Sequence, residues 1–485
     1  WKPQSEEHLR ILELVGVHHG VIALTKVDVL DDAELVDLAV VEVAERVAGT
    51  FLAGAPIVPV AAPSGVGLDR LGAELAGLAR RTPASPDRGR PRLWIDRVFA
   101  ARGSGTVVTG TLTDGAVEVD EHVAIEPVRR RARVRAIQTL GAPVERIGPG
   151  NRVALNLAGV DRHELTRGDV VVTPGRWRTT RVVDASLAVL RTLDHEVSRR
   201  GAYLAYIGSG EHSVQLRVLG VAELAPGTTG AVRLHLDAAL PLLPGDRYVL
   251  RETGRDETVG GGEVLDIAPV LTASKARPDR DVDRVISERG WVDVDELELL
   301  TGERRLPTVG HWVVAPSAQV ADEEALRARL TEAGDSGLEL AGLDEHQRAL
   351  LAGFEDVVVT GMTARAAGVG DPLAEHPVIA TLASAGLAPP EPSGATRSEL
   401  RELERRGVLV ERDGQWFHVD AIAIATGVVT RLLAAEPDGF TVSQFREAAG
   451  ITRKHAVPLL AELDARGITR RRGDLRIAGP RLPGS

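Results

Sequence analysis

Between residue 92 and about residue 270 the sequence breaks into short segments of alternating apolar and polar residues, separated by Gly and Pro. "GTVVTGTL", "HVAIEP", "RVALNLAG", "HSVQLRVLG", "TGAVRLHL" and "DRYVLRE" are too short and too regularly interrupted for helices. Segments of this kind bury one face each, and their even turn spacing predicts one or two antiparallel β-barrels. "DASLAVLRTL" (184–193) marks a plausible start of the second barrel.

The flanks follow other rules. Residues 4–82 alternate helix and strand. "SEEHLRILELVG" has a Ser start, early acids, Leu9, Leu12 and Val15 on one face, and Gly16 as a stop, which predicts a capped amphipathic helix. "GVIALTKVD" is a continuous apolar strand of the kind found in parallel sheets covered on both faces. A helix over 31–48, a strand at 55–60 and a helix over 68–81 complete the second half of a doubly wound α/β domain. The Pro- and Arg-rich stretch 81–92 is a linker.

From about residue 279 the pattern is helical with short β pairs, and it repeats. Leu400, Leu403, Arg406 and Gly407 recur 60 residues later as Leu460, Leu463, Arg466 and Gly467. A unit of that size accommodates a winged helix, so the tail predicts a tandem array of about four. The expected partition is 1–84 for the α/β part, 91–177 and 178–270 for the barrels, and 273–337, 338–371, 372–420 and 421–485 for the winged helices.

The net charge of −11 is unevenly spread. Residues 441–485 carry nine Arg/Lys and four Asp/Glu, leaving 49 basic against 65 acidic residues elsewhere. A basic terminal module on an acidic chain points to a local polyanion site. The chain has no cysteine, which excludes disulfides and thiolate metal sites and fits a cytoplasmic location. No apolar run reaches 18 residues, so no membrane-spanning helix is expected. Metal-ligating clusters are not apparent, and a monomer is expected.

"TKVD" (25–28) follows a strand and would lie where α/β folds bind ligands. Asp28 can accept two hydrogen bonds from guanine that adenine cannot offer. The stem of Lys26 can lie along the base, and Thr25 can tie the loop to its neighbours. The plain alternative is a strand-to-helix turn capped by Asp28. The next loop, "VPVAAPSGVGLDRL" (58–71), strengthens the guanine reading, with Ala61 at a position for a hydroxyl and the Ala62 N–H able to donate to the guanine carbonyl. Of the lysines, Lys2, Lys26, Lys275 and Lys454, none follows a glycine, so the Gly-Lys of a phosphate-binding loop is missing.

"GSGTVVTGTL" (103–112), "GNRVALNLAGVDRHELTRGDVV" (150–171) and "LPGDRYVLRETGRDETVGGGEVLD" (243–266) resemble the second and third domains of EF-Tu-like translational GTPases. With "WKPQSEEHLRIL" and the winged-helix tail, the whole chain resembles the bacterial selenocysteine-specific elongation factors. That resemblance implies an α/β GTPase domain, two barrels and winged helices. It implies GTP or GDP with Mg as cofactor, and selenocysteyl-tRNA, an mRNA stem-loop beside a UGA codon and the ribosome as partners. It also implies that the phosphate loop, the switches and the catalytic His of the family would precede Trp1. GTP hydrolysis is therefore not expected of this chain, and no catalytic residue is assigned.

The family accepts the selenocysteyl group on its second domain, and the matching positions are Asp96, Arg97 and Arg152. A selenol ionises readily, and two arginines suit the resulting anion while Asp96 orients them. In the last module, Arg453, Lys454 and His455 fall in the first turn of a predicted recognition helix, with Arg470, Arg471 and Arg472 on the wing. The family binds its mRNA stem-loop there, by phosphate contacts together with a splayed loop base. Two other readings stay open: a general EF-Tu-like GTPase with an unrelated tail, and a winged-helix DNA-binding regulator.

Overall fold

The computed structural model describes residues 1–30, 32–101, 105–367 and 373–483. The 371/372 winged-helix border, Asp31 at the expected start of the second helix, and Gly103 and Ser104 lie outside the described residues. The chain forms two compact units, residues 1–319 and 320–485.

The first unit opens with α1 (Pro3–Leu14), β1 (Ile22–Thr25), α2 (Ala33–Val47), β2 (Ile57–Val60) and α3 (Leu68–Arg81). The α1 helix starts earlier than its Ser signal. Lys2 is the N-cap, without a side-chain cap bond, and Pro3 sits in the first turn, where a fixed φ and a missing N–H cost nothing. Strands β1 and β2 pair in parallel, Ile22 with Ile57 through Thr25 with Val60. The expectation that β1 is covered on both faces is not met: Ala23 and Thr25 are exposed, because the described sheet is two strands wide.

Barrel II comprises β3 (Arg92–Ala101), β4 (Gly105–Thr113), β5 (His122–Glu126), β6 (Arg130–Thr139), β7 (Arg152–Ala158) and β8 (Val170–Val172). The ring closes in the order β7-β4-β3-β8-β5-β6 and back to β7. Its core holds Leu93, Ile95, Val108, Ile125, Ile137 and Leu155, all essentially inaccessible. Barrel III comprises β9 (Thr179–Val189), β10 (Tyr203–Ile207), β11 (Gly210–Val218), β12 (Thr229–Pro241), β13 (Arg247–Glu252) and β14 (Glu257–Asp266), closed in the order β9-β12-β11-β10-β13-β14. Full closure leaves neither barrel an open strand edge.

Polar contacts join the barrels. Ser209 Oγ donates to the Ile95 carbonyl at 2.6 Å, and the buried Arg92 reaches Asp246 through both Nη atoms at 2.6 and 2.7 Å. The core of barrel III continues into α4 (Val282–Arg289), β15 (Trp291–Asp293), α5 (Val294–Thr301) and β16 (Trp312–Val314): Val282, Val285, Leu297 and Leu300 share one apolar cluster with Val183 and Leu187.

The helix α6 (Pro316–Ala333) leads into the second unit, where Leu326 and Leu330 are buried. It is followed by β17 (Leu338–Glu339), α7 (Glu345–Leu351), β18 (Val357–Thr360) and β19 (Thr363–Ala366). Next come α8 (Pro377–Ala385), α9 (Arg397–Arg405), β20 (Leu409–Arg412) and β21 (Gln415–His418). The last module holds α10 (Val419–Ala435), β22 (Phe440–Thr441), α11 (Val442–Ala449), α12 (Arg453–Ala465), β23 (Thr469–Arg472) and β24 (Leu475–Ala478). Its three-stranded sheet, in the order β22-β24-β23, and three helices make a winged helix around Phe440, Phe445, Leu459, Leu460 and Leu463.

Candidate functional site

The two loops read as guanine loops leave the carboxyl ends of adjacent parallel strands, since Thr25 pairs with Val60. Lys26 takes a left-handed conformation, φ 62°, which turns the chain sharply into a 3₁₀ turn over Val27–Val29. Lys26 and Asp28 are exposed at that turn. Ala61 is buried and donates its N–H to the Val66 carbonyl at 2.9 Å, so it fills a structural position, while Ala62 beside it is exposed. Gly67, at φ 75°, caps α3, and a Cβ there would meet the Pro59 carbonyl oxygen at 2.1 Å. That close approach holds the second loop against β2.

On barrel II, the β3–β4 register shifts between Ile95 and Arg97, placing Asp96 in a bulge. A bulge bends its strand and re-aims the side chain. Arg152, on the far side of β4, pairs with Thr111 in register and reaches back across it. Its Nη1 and Nη2 donate to the Asp96 carboxylate at 2.5 and 3.0 Å, and Thr109 Oγ1 donates at 2.6 Å. Partial burial works against the Asp96 carboxylate, yet the Arg152 and Thr109 hydrogen bonds, with the charge of Arg97 nearby, hold its pKa below the usual carboxylate range. Asp96 therefore fixes Arg152, whose side chain stays 55% exposed, and Arg97 is exposed beside them. The three predicted residues come together, with the orienting role of Asp96 falling on Arg152.

In the last module, Arg453 and Lys454 are exposed in the first turn of α12 and His455 is half-buried. The N-cap Thr452 makes no side-chain cap bond to the helix N–H groups; its hydroxyl lies 3.3 Å from His455 Nδ1. Lys454 Nζ also lies 3.6 Å from Glu391, an exposed pair of little energetic weight. On the wing, Arg470, Arg471 and Arg472 are all exposed but do not share one face. Strand alternation puts Arg471 on the face that buries Thr469 and Arg476, and Arg470 and Arg472 on the opposite face.

One polar feature escaped the linear pattern. On barrel III, a cavity of about 530 Å³ is lined by Arg199, Tyr203, Gln215, Arg217 and His235. Gln215 and Arg217 share the outward face of β11, and Gln215 pairs with His235 of β12. Outward alternation on "HSVQLRVLG" was the available signal, but it does not say which strand lies alongside. Among the described residues no His/Asp/Glu cluster is placed to hold a metal ion, and no helix is long and apolar enough to cross a membrane.

Three family models match the chain: elongation factor Tu domain 2 over 105–172, the selenocysteine-specific elongation factor β-barrel domain over 201–270, and the elongation factor SelB winged helix over 431–478. A selenocysteine-specific elongation factor of Desulfomicrobium baculatum is 29% identical, over 98% of this chain and 85% of its own length. The chain belongs to the SelB family of selenocysteine-specific elongation factors. Within the broader EF-Tu-like group, elongation factor Tu 2 of Streptomyces avermitilis is 33% identical over 55% of the chain and 70% of its own length. A crystal structure titled bacterial selenocysteine-specific elongation factor EF-Sec superposes with a TM-score of 0.68 at 21% identity. It covers 98% of the chain and 84% of that protein, so the fold is shared along nearly the whole chain.

Proposed function

We propose that this chain serves selenocysteine insertion by carrying selenocysteyl-tRNA to UGA codons on the ribosome while its last module grips an mRNA stem-loop. The observation that carries this reading is the Asp96–Arg152 pair with Arg97 beside it on barrel II. An anion docks on prepositioned guanidinium groups through charge-assisted hydrogen bonds, which a neutral seryl hydroxyl cannot match. The arginine-lined cavity of barrel III is a natural place for tRNA backbone phosphates.

The uncapped α12 N-terminus, with Arg453, Lys454 and His455 in its first turn, suits RNA phosphates through N–H groups and dipole. Arg470 and Arg472 extend that surface along one face of the wing. Tethering to a hairpin raises the effective concentration of the factor at one codon. Guanine is read by Asp28 and Lys26 with Ala62, Thr25 tying the loop and Ala61 anchoring its partner; Mg belongs with the nucleotide phosphates. The domain partition proposed from the sequence, a monomeric state and a cytoplasmic location accompany this reading.

The test is binding of selenocysteyl-tRNA and seryl-tRNA to the full chain and to Arg152→Gln. Selenocysteyl-tRNA should bind more tightly to the unaltered chain, and the preference should vanish in Arg152→Gln with seryl binding unchanged. Equal binding of the two tRNAs by the unaltered chain rejects the reading. Tighter binding to duplex DNA than to RNA hairpins rejects the RNA role of the last module.

A further inference from the structure

Arg90 carries a charge that its surroundings do not satisfy. The residue is 3% exposed. Its Nη1 donates to the Glu298 carbonyl at 2.9 Å, but Nε and Nη2 are buried without a hydrogen-bond partner. Arg92, equally buried, is held by Asp246 at 2.6 and 2.7 Å and by Asp114 at 3.3 Å. Both guanidinium groups lie against the Trp177 ring, 4.7 and 4.5 Å from its centre. Asp114 is already engaged by Arg88 at 2.8 Å as well as by Arg92. Burial pushes the Arg90 pKa down, as expected where no carboxylate compensates the charge directly.

A cavity of about 230 Å³ opens beside this side chain, lined by Arg88, Arg90, Arg176, Asp295, Glu298 and Arg304. Its two acids are occupied: Arg304 Nη1 lies 2.9 Å from Asp295 and 2.6 Å from Glu298. Arg176 is exposed and makes no ion pair among the described residues. Four arginines against two paired carboxylates leave the recess positive. Its volume falls below the ~300 Å³ at which pockets for drug-sized ligands begin, so it suits a small ion better than a nucleoside. Nε and Nη2 have no accessible surface, so Arg90 acts on an ion in the recess through its charge, while the exposed Arg176 can touch it.

We propose that this recess binds a free phosphate-type dianion, touched by Arg176 and favoured by the buried charge of Arg90 behind it. The site joins the 81–92 linker, the 173–178 turn that ends barrel II, and α5, so its occupancy would stiffen their junction. Nothing in it depends on the tRNA or stem-loop assignments.

Equilibrium dialysis of the full chain against radiolabelled inorganic phosphate tests it, with Arg90→Met, Arg176→Gln and, as a control for loss of a surface charge, Arg70→Gln on α3. The unaltered chain and Arg70→Gln should each bind phosphate saturably with the same affinity. Affinity should fall more than about tenfold in Arg90→Met and about threefold in the surface variant Arg176→Gln. Unsaturable binding, or unaltered affinity in both Arg90→Met and Arg176→Gln, overturns the proposal. If Arg90→Met fails to fold by circular dichroism, Arg176→Gln alone decides. Arg90-dependent displacement of the phosphate by an RNA hexamer lacking terminal phosphates would overturn the assignment to a free anion.

Discussion

At the residue scale, charge is directed by what a neighbour holds still. Asp96 sits on a bulge and spends both carboxylate oxygens on Arg152, so the guanidinium is presented in one orientation. Replacing Asp96 by Asn should loosen Arg152 and lower the selenocysteyl-over-seryl preference by about threefold to tenfold, measured as a ratio of dissociation constants. An unchanged ratio would show that Arg152 needs no such orientation. His212 presents the opposite case. Burial, opposed by Asp237 at 3.4 Å, holds its pKa below the ordinary value, and its Nε2 is buried without a partner. The native state thus prefers the neutral ring, and the unfolded chain takes up the proton first as pH falls. The stability this provides is complete above about pH 6.5 and declines as pH falls through the lower native pKa. The urea midpoint of the unaltered chain should drop between pH 7.5 and 5.5 more steeply than that of His212→Gln; parallel curves would exclude His212 as the source.

At the element scale, the 60-residue repeat is one helix-ending turn built twice. Arg406 and Arg466 follow α9 and α12, and each Nε donates to the glutamate four residues earlier, at 2.9 and 2.8 Å. Gly407 and Gly467 both take φ 73°. A left-handed residue after the helix lets the last carbonyls find partners, and glycine adopts it without Cβ strain. No atom lies closer than 3.7 Å to a Cβ built on Gly467, and none within 4 Å at Gly407. The cost of Gly467→Ala is therefore conformational, about 1–2 kcal/mol, readable as a lowered urea midpoint of the tail. The first helical module depends on burial instead. Leu297 is inaccessible in the cluster shared with barrel III, and Leu297→Ala should cost about 2–5 kcal/mol. Protease cleavage around α4 and α5 should then precede cleavage of the barrels.

At the scale of the whole molecule, positive charge is concentrated in the last module. The tail from residue 441 carries a net +5 on a chain of net −11. Coating of nucleic acid along the whole chain would be opposed by the acidic remainder, so binding should be local and salt-dependent. Replacing both Arg453 and Lys454 by Gln should reduce the slope of log affinity for an RNA hairpin against log salt by about 1.5 to 2, if each neutralises one phosphate. An unchanged slope would remove the first turn of α12 from the RNA surface.

Much of this architecture was legible in the chain. Period-two patterning with Gly and Pro turns specified barrel strands, and the recurrence of Leu400, Leu403, Arg406 and Gly407 at 460–467 specified a repeated helix end, because local backbone sterics and one-sided burial act over a few residues. The barrel segments 103–112, 150–171 and 243–266, with the opening "WKPQSEEHLRIL" and the winged-helix tail, carried the family resemblance. Three matters were decided by the tertiary structure. Ring closure brings Arg152 across β4 to Asp96, leaving Arg97 outside the pair, and strand alternation separates Arg471 from Arg470 and Arg472. The pairing of β11 with β12 assembles the barrel III cavity from residues far apart in sequence. Most of all, Arg90 reads as one more arginine in a Pro- and Arg-rich linker; only packing against Trp177 and α5 buries it. Local pattern sets which face of an element is apolar, whereas the partner of a buried charge depends on which distant segment the closed barrels bring to it.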